Sequence, residues 1–208
     1  MSVIRLDRRS YESLYNIDMN ARFIVITFDI IRDGFGDFAQ QIFNEKNLAQ
    51  KNSFDEALSV DCLSLVYRSV GCYFRSVTTE RQIRYGTMTY NVSKVDYIIT
   101  GDLVMAVSVT RAFVYNAVLS LESAFLLIVK KLHSLRYAVL KYNEICESHN
   151  SRFWSNQPQP VTKQVLFIWC RTIRDAYILE IAFNRINTDL SVLIMCVVCT
   201  DPRLYSSN

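Results

Sequence analysis

Through the middle of the chain, apolar residues recur at steps of three, four or seven. Phe113, Ala117, Leu121, Phe125, Leu132, Leu135, Val139 and Tyr142 share one side of a helix if residues 110–150 are helical. Thr110 offers an N-cap, no Gly or Pro intervenes before Pro158, and Lys130, Lys131, Arg136 and Lys141 gather toward the end that suits cations. About 40 residues at ~1.5 Å each would span roughly 60 Å, more than a domain of this size needs, so a break is expected within residues 130–134. Residues 112–129 carry Val114, Val118, Leu119, Leu126, Leu127, Ile128 and Val129 on nearly every side. That pattern predicts burial all round, in the core or at an oligomer axis.

On either side the pattern changes period. Residues 7–16 read as a short helix, with Tyr11, Leu14 and Tyr15 opposite Arg8, Arg9 and Glu12. Residues 22–31, with the β-branched and aromatic run Phe23-Ile24-Val25-Ile26-Thr27-Phe28, read as a strand buried on both faces or nearly so, and Asp33-Gly34-Phe35-Gly36-Asp37 turns the chain after it. Residues 37–46 and 53–67 read as helices, the second opened by a Ser53/Glu56 capping box and ended by Gly71. Residues 72–77, 84–90 and 94–100 alternate as strands, while residues 103–109 fit either a strand or the entry to the central helix. Asn156-Gln157-Pro158-Gln159-Pro160 makes residues 155–160 an internal linker. Beyond it, residues 163–173, 176–184 and 190–200 read as a three-stranded antiparallel meander, too apolar to leave an edge in water. The elements amount to a single domain, residues 1–208, of α+β class: antiparallel β-sandwich-like sheets, a long central helix and an N-terminal arm at residues 1–16.

Composition narrows the functional classes. The chain is 50% hydrophobic and 12% aromatic with 21% charged residues, which leaves its surface short of solubilising groups and favours cover by partners or copies of itself. Its net charge of +3, with Arg interleaved among Asp and Glu, forms no basic footprint and argues against nucleic acid as a partner. Arg111, Glu122 and Lys130 interrupt the longest apolar runs, so no membrane span is expected. Cys62, Cys72, Cys146, Cys170, Cys196 and Cys199 sit in apolar surroundings behind a start that carries no signal-peptide pattern, and read as buried free thiols.

Candidate chemistry is sparse. His133 and His149 are the only histidines and form no triad or zinc pattern. Cys196-Val197-Val198-Cys199 has the CxxC spacing, but in a strand those two positions point to opposite faces. Asp29, Asp33 and Asp37 surround a Gly-x-Gly turn with too few oxygen ligands for a metal and without the full phosphate-loop pattern. The expectation is therefore no catalytic residue, no metal ligand, no cofactor, and no assigned cofactor-binding residue.

The segment Tyr15-Asn16-Ile17-Asp18-Met19-Asn20-Ala21-Arg22-Phe23-Ile24-Val25, running on through Phe28 to Asp33-Gly34, resembles the N-terminal part of the cypovirus polyhedrins. Residues 190–198 with Asp201-Pro202 and Tyr205 are similar to that family's late sandwich strand and the Asn-Pro-x-x-Tyr after it. The resemblance implies a β-sandwich with appended helices, trimers packed into a crystal that encloses virions in the host cytoplasm, and an arm helix that joins trimers. Its nucleotide sites find no matching residues in this chain. The expectation from resemblance and composition together is a non-enzymatic, self-assembling viral structural protein of occlusion-body type. A small accessory or matrix-like protein that binds host factors, RNA or membrane surfaces is the alternative.

Overall fold

The computed structural model describes residues 22–28, 34–45, 53–80, 82–83, 94–112, 118–149, 159–186, 192–201 and 204–205. In chain order these form β1 (Phe23–Phe28), α1 (Asp37–Asn44), α2 (Ser53–Ser69), β2 (Phe74–Thr79), β3 (Tyr97–Gly101), β4 (Val104–Arg111), α3 (Leu121–His149), β5 (Lys163–Cys170), α4 (Ile173–Asn184) and β6 (Val192–Cys199). One six-stranded sheet runs β1-β6-β5-β4-β3-β2. The four strands β1, β6, β5 and β4 are mutually parallel, and the meander β4-β3-β2 completes the sheet antiparallel.

Helices cover both faces. Ala57, Leu58, Leu63 and Val66 of α2, with Ala39 and Ile42 of α1, pack on Phe28, Tyr97, Met105, Phe167, Trp169, Met195 and Val197. On the other face Ala124, Ile128, Leu132 and Leu135 of α3, with Ala176, Leu179 and Phe183 of α4, pack on Ile98, Ala106, Leu166, Ile168, Ile194 and Cys196. Alternate residues of each central strand thus enter different cores. All eight residues of β6 are buried, as a continuous apolar run in a parallel strand requires.

The antiparallel sandwich expected from the sequence is thereby replaced by a single mixed sheet between two helical layers. The physical reason lies in the connections: parallel neighbours need crossovers, and α3 and α4 supply them between β4, β5 and β6. The expected strand at residues 176–184 is part of α4. Thr172 starts that helix with a reciprocal capping box: its hydroxyl accepts from Asp175 N–H at 3.2 Å while the Asp175 carboxylate accepts from Thr172 N–H at 3.0 Å. Ala176, Leu179, Ala182 and Phe183 then repeat at helical steps. The central helix starts at Leu121 and not at Thr110, because residues 104–111 pair as β4 and Ser120 caps α3 by accepting from Ser123 N–H at 3.1 Å. It continues through residues 130–134 without a break. It is also buried on one side only, with Leu126 60% exposed, because a single sheet face covers it.

The expected helices over residues 37–46 and 53–67, and the strands near residues 22–31, 72–77 and 94–100, are present with shifted ends. Gly71, at φ 80, ends the α2 region in the left-handed conformation that glycine tolerates best. The arm at residues 1–16, residues 84–90 and most of the linker lie outside the described residues. All six cysteines are free thiols. Among the described residues no helix is long and apolar enough to cross a membrane.

Because the capping box decides helix over strand at residues 173–184, replacing Thr172 by Ala is expected to cost about 1 kcal/mol. The loss should lower the urea midpoint at unchanged m-value; an unmoved midpoint would show that the cap is dispensable.

Candidate functional site

In sheets of this kind ligands gather at the carboxyl ends of the parallel strands. Here the first turn of α2 is fastened across those ends. Arg111, the last residue of β4, donates through Nε to Asp55 Oδ2, and Trp169 Nε1 of β5 donates to the Asp55 carbonyl at 3.3 Å. One turn further along, the Ser59 and Tyr97 hydroxyls lie 2.6 Å apart, tying α2 to β3, while Ser59 also donates to the Glu56 carbonyl. The sheet contributes further carboxyl groups beside this turn. Asp96, just before β3, accepts from Val109 N–H at 2.6 Å, and Glu80, just after β2, donates its N–H to the Asp96 carbonyl at 3.0 Å. Glu45, at the end of α1, accepts from the Thr79 hydroxyl.

Burial and mutual repulsion set the protonation of this group. Burial pushes Asp55 up to about 6 against the opposing hydrogen bond and charge of Arg111. It pushes Asp96 up to about 6 as well, against the Val109 N–H and the positive charge of Lys131 on α3. Glu56 is the extreme case. Its removal from water, followed by the charges of Asp96, Glu80, Asp55 and Glu45, raises it from 4.5 to about 9. The residue is 6% exposed. Among the described residues its carboxyl group meets no hydrogen-bond donor and no cation. Among the described residues Asp55 Oδ1 is buried without a hydrogen-bond partner. A buried acidic oxygen without a partner is uncommon in structures and calls for a cause.

No family model, curated protein or solved structure matches this chain. The site is therefore judged on its own geometry. Among the described residues no group of three or more His, Cys, Asp or Glu side chains could hold a metal ion by itself. Asp29 and Asp33 lie outside the described residues, Asp37 sits in the first turn of α1, and His133 is exposed on α3. Cys196 and Cys199 enter opposite cores, as strand alternation requires.

Glu56 and Asp96 escaped notice for different reasons. Glu56 has the spacing of a capping residue, and Asp96 resembles any polar residue before a strand. The available signal was the Asp55-Glu56 pair abutting the buried run from Ala57 to Val60.

A fold that favours neutral carboxyl groups is most stable where those groups are neutral in both states. For Glu56 that contribution is full below 4.5 and is lost as pH rises through about 9, with Asp55 and Asp96 adding a loss between 3.8 and about 6. Glu56→Gln should raise the melting temperature at pH ~8 and flatten its decline from pH ~5 upward. A variant that melts with the same pH slope as the parent would disprove the assignment.

Proposed function

We propose that this edge is a divalent-cation site and that the chain is a cation-dependent phosphoesterase. The observation that carries the reading is Glu56: a residue 6% exposed whose carboxyl group meets no cation among the described residues and is set among the carboxyl groups of Asp96, Asp55, Glu80 and Glu45. Mg2+ or Mn2+ fits such a pair better than a softer metal. These cations take oxygen ligands, and Mg2+ commonly uses one or two carboxylates, several waters and a substrate phosphate in place of an all-protein cage.

Glu56 and Asp96 would supply the protein ligands. A cation bound there would activate a water and offset charge on the phosphate oxygens. Arg111 stays with Asp55 and holds the first turn of α2 in place, while Lys131 contributes positive charge beside Asp96. With a net charge of +3, the chain suits a small phosphate ester better than a long nucleic acid.

Calorimetric titration with Mn2+ and hydrolysis of bis(4-nitrophenyl) phosphate test this directly. Glu56→Gln and Asp96→Asn should each weaken Mn2+ binding at least about tenfold and remove the hydrolysis. An oligonucleotide assayed in parallel separates a nuclease from an esterase of small substrates. Absence of Mn2+ binding by the folded parent would overturn the reading.

A second reading keeps the self-assembling structural protein of occlusion-body type suggested by composition and by the polyhedrin resemblance. It is favoured by one observation, the exposed apolar residues along α3. Expression in insect cells should then yield intracellular particles; soluble monomer alone would count against it.

A further inference from the structure

The outer side of α3 carries large apolar residues among its charged ones. Phe125 (37% exposed), Leu126 (60%), Val129 (39%), Tyr137 (41%) and Leu140 (53%) all reach solvent, and Val118 (63%) lies just before the helix. The inward side is separately satisfied by Ala124, Ile128, Leu132, Leu135, Ala138 and Val139 against the sheet. The sheet and α4 together account for the inward stripe, and the outer apolar residues are left for a second partner. Residues 122, 125, 129, 133, 136 and 140 follow steps of three and four, the seam of a helix pair. From residue 118 to residue 140 that seam extends about 30 Å.

We infer that the second partner is α3 of another copy of this chain, packed antiparallel about a twofold axis beside Val129. In that register Val118 faces Leu140, Phe125 faces His133, Val129 faces itself, and Glu122 faces Arg136 once at each end. Every one of these residues is exposed on the single chain. Among the described residues neither Glu122 nor Arg136 has an ion-pair partner, so both charges are available for the pairing.

Charge selects this arrangement over its rivals. A parallel pair would set Glu122 against Glu122 and Arg136 against Arg136. An antiparallel pair centred on His133 would oppose Glu122 to Glu144 and Lys130 to Arg136. Like charges across a seam are unfavourable, and of these three arrangements the Val129-centred register is the one that brings opposite signs together at both ends. Ile173 and Tyr177 of α4, each 62% exposed, add apolar surface on the same side of the sheet. A twofold contact uses the same patch on both copies, so it closes at a dimer.

The inference is independent of the cation site. It gives the self-assembly reading a specific surface, and a dimer without larger particles would support the pairing while removing that reading. Sedimentation equilibrium of the whole chain should show a dimer. Glu122→Arg should weaken it about tenfold, and Glu122→Arg combined with Arg136→Glu should restore it.

Val129→Cys should form a disulfide-linked dimer on mild oxidation, whereas His133→Cys, which sits away from the axis, should not. The parent, whose six thiols are buried or half-buried, serves as the control. Far-ultraviolet circular dichroism confirms that each variant is folded. A monomeric parent, a double charge variant no better than the single one, or equal cross-linking at residues 129 and 133 would each overturn the inference.

Discussion

A strand buried on both faces must be covered twice, and β6 imposes that demand on the rest of this protein. From Val192 to Cys199 none of its eight residues reaches solvent. Its neighbours β5 and β1 satisfy its backbone groups, but only side-chain layers above and below can keep its apolar surface from water. The chain meets the demand by sending α1 and α2 to one face and α3 and α4 to the other. Crossover helices in turn make the strands parallel, and parallel strands align their carboxyl ends along one edge. The acidic cluster occupies that edge.

The cluster opposes the stability that the cores provide. Burying Glu56 beside four other carboxyl groups holds a proton on it far above its usual range, and the alternative is an uncompensated charge. Among the described residues the surroundings supply fixed supports but no ion-pair partner to Glu56. Arg111 is committed to Asp55, Val109 N–H to Asp96, and Ser59 to Tyr97. Each support holds an acid or its helix in position without neutralising the central residue.

The outer side of α3 is a different kind of unfinished surface. Its inner residues are small or aliphatic and fill the space above β4 and β5, whereas its outer residues are large and face water. Continuous apolarity over residues 112–129 looks, in one dimension, like a helix buried all round. In three dimensions the sheet and α4 cover one side of α3, while Phe125, Leu126 and Val129 on the other side reach solvent.

Local chemistry by itself determined much of the secondary structure. The β-branched run at residues 23–28, the helical repeat from residue 121 onward, Gly71 and the six scattered thiols could be read because propensity, period and special backbone geometry act within a few residues. The helix at residues 173–184 was legible only in its Thr172/Asp175 cap, since Ala176 to Phe183 is apolar enough to pass for a buried strand. Pairing was not legible at all. Whether β5 and β6 run parallel or antiparallel depends on the crossover between them, and whether Glu56 caps a helix or faces Asp96 depends on strands distant in the chain. Those outcomes belong to the tertiary structure, because burial and the repulsion between carboxyl groups come into being only when distant segments share the same low-dielectric space.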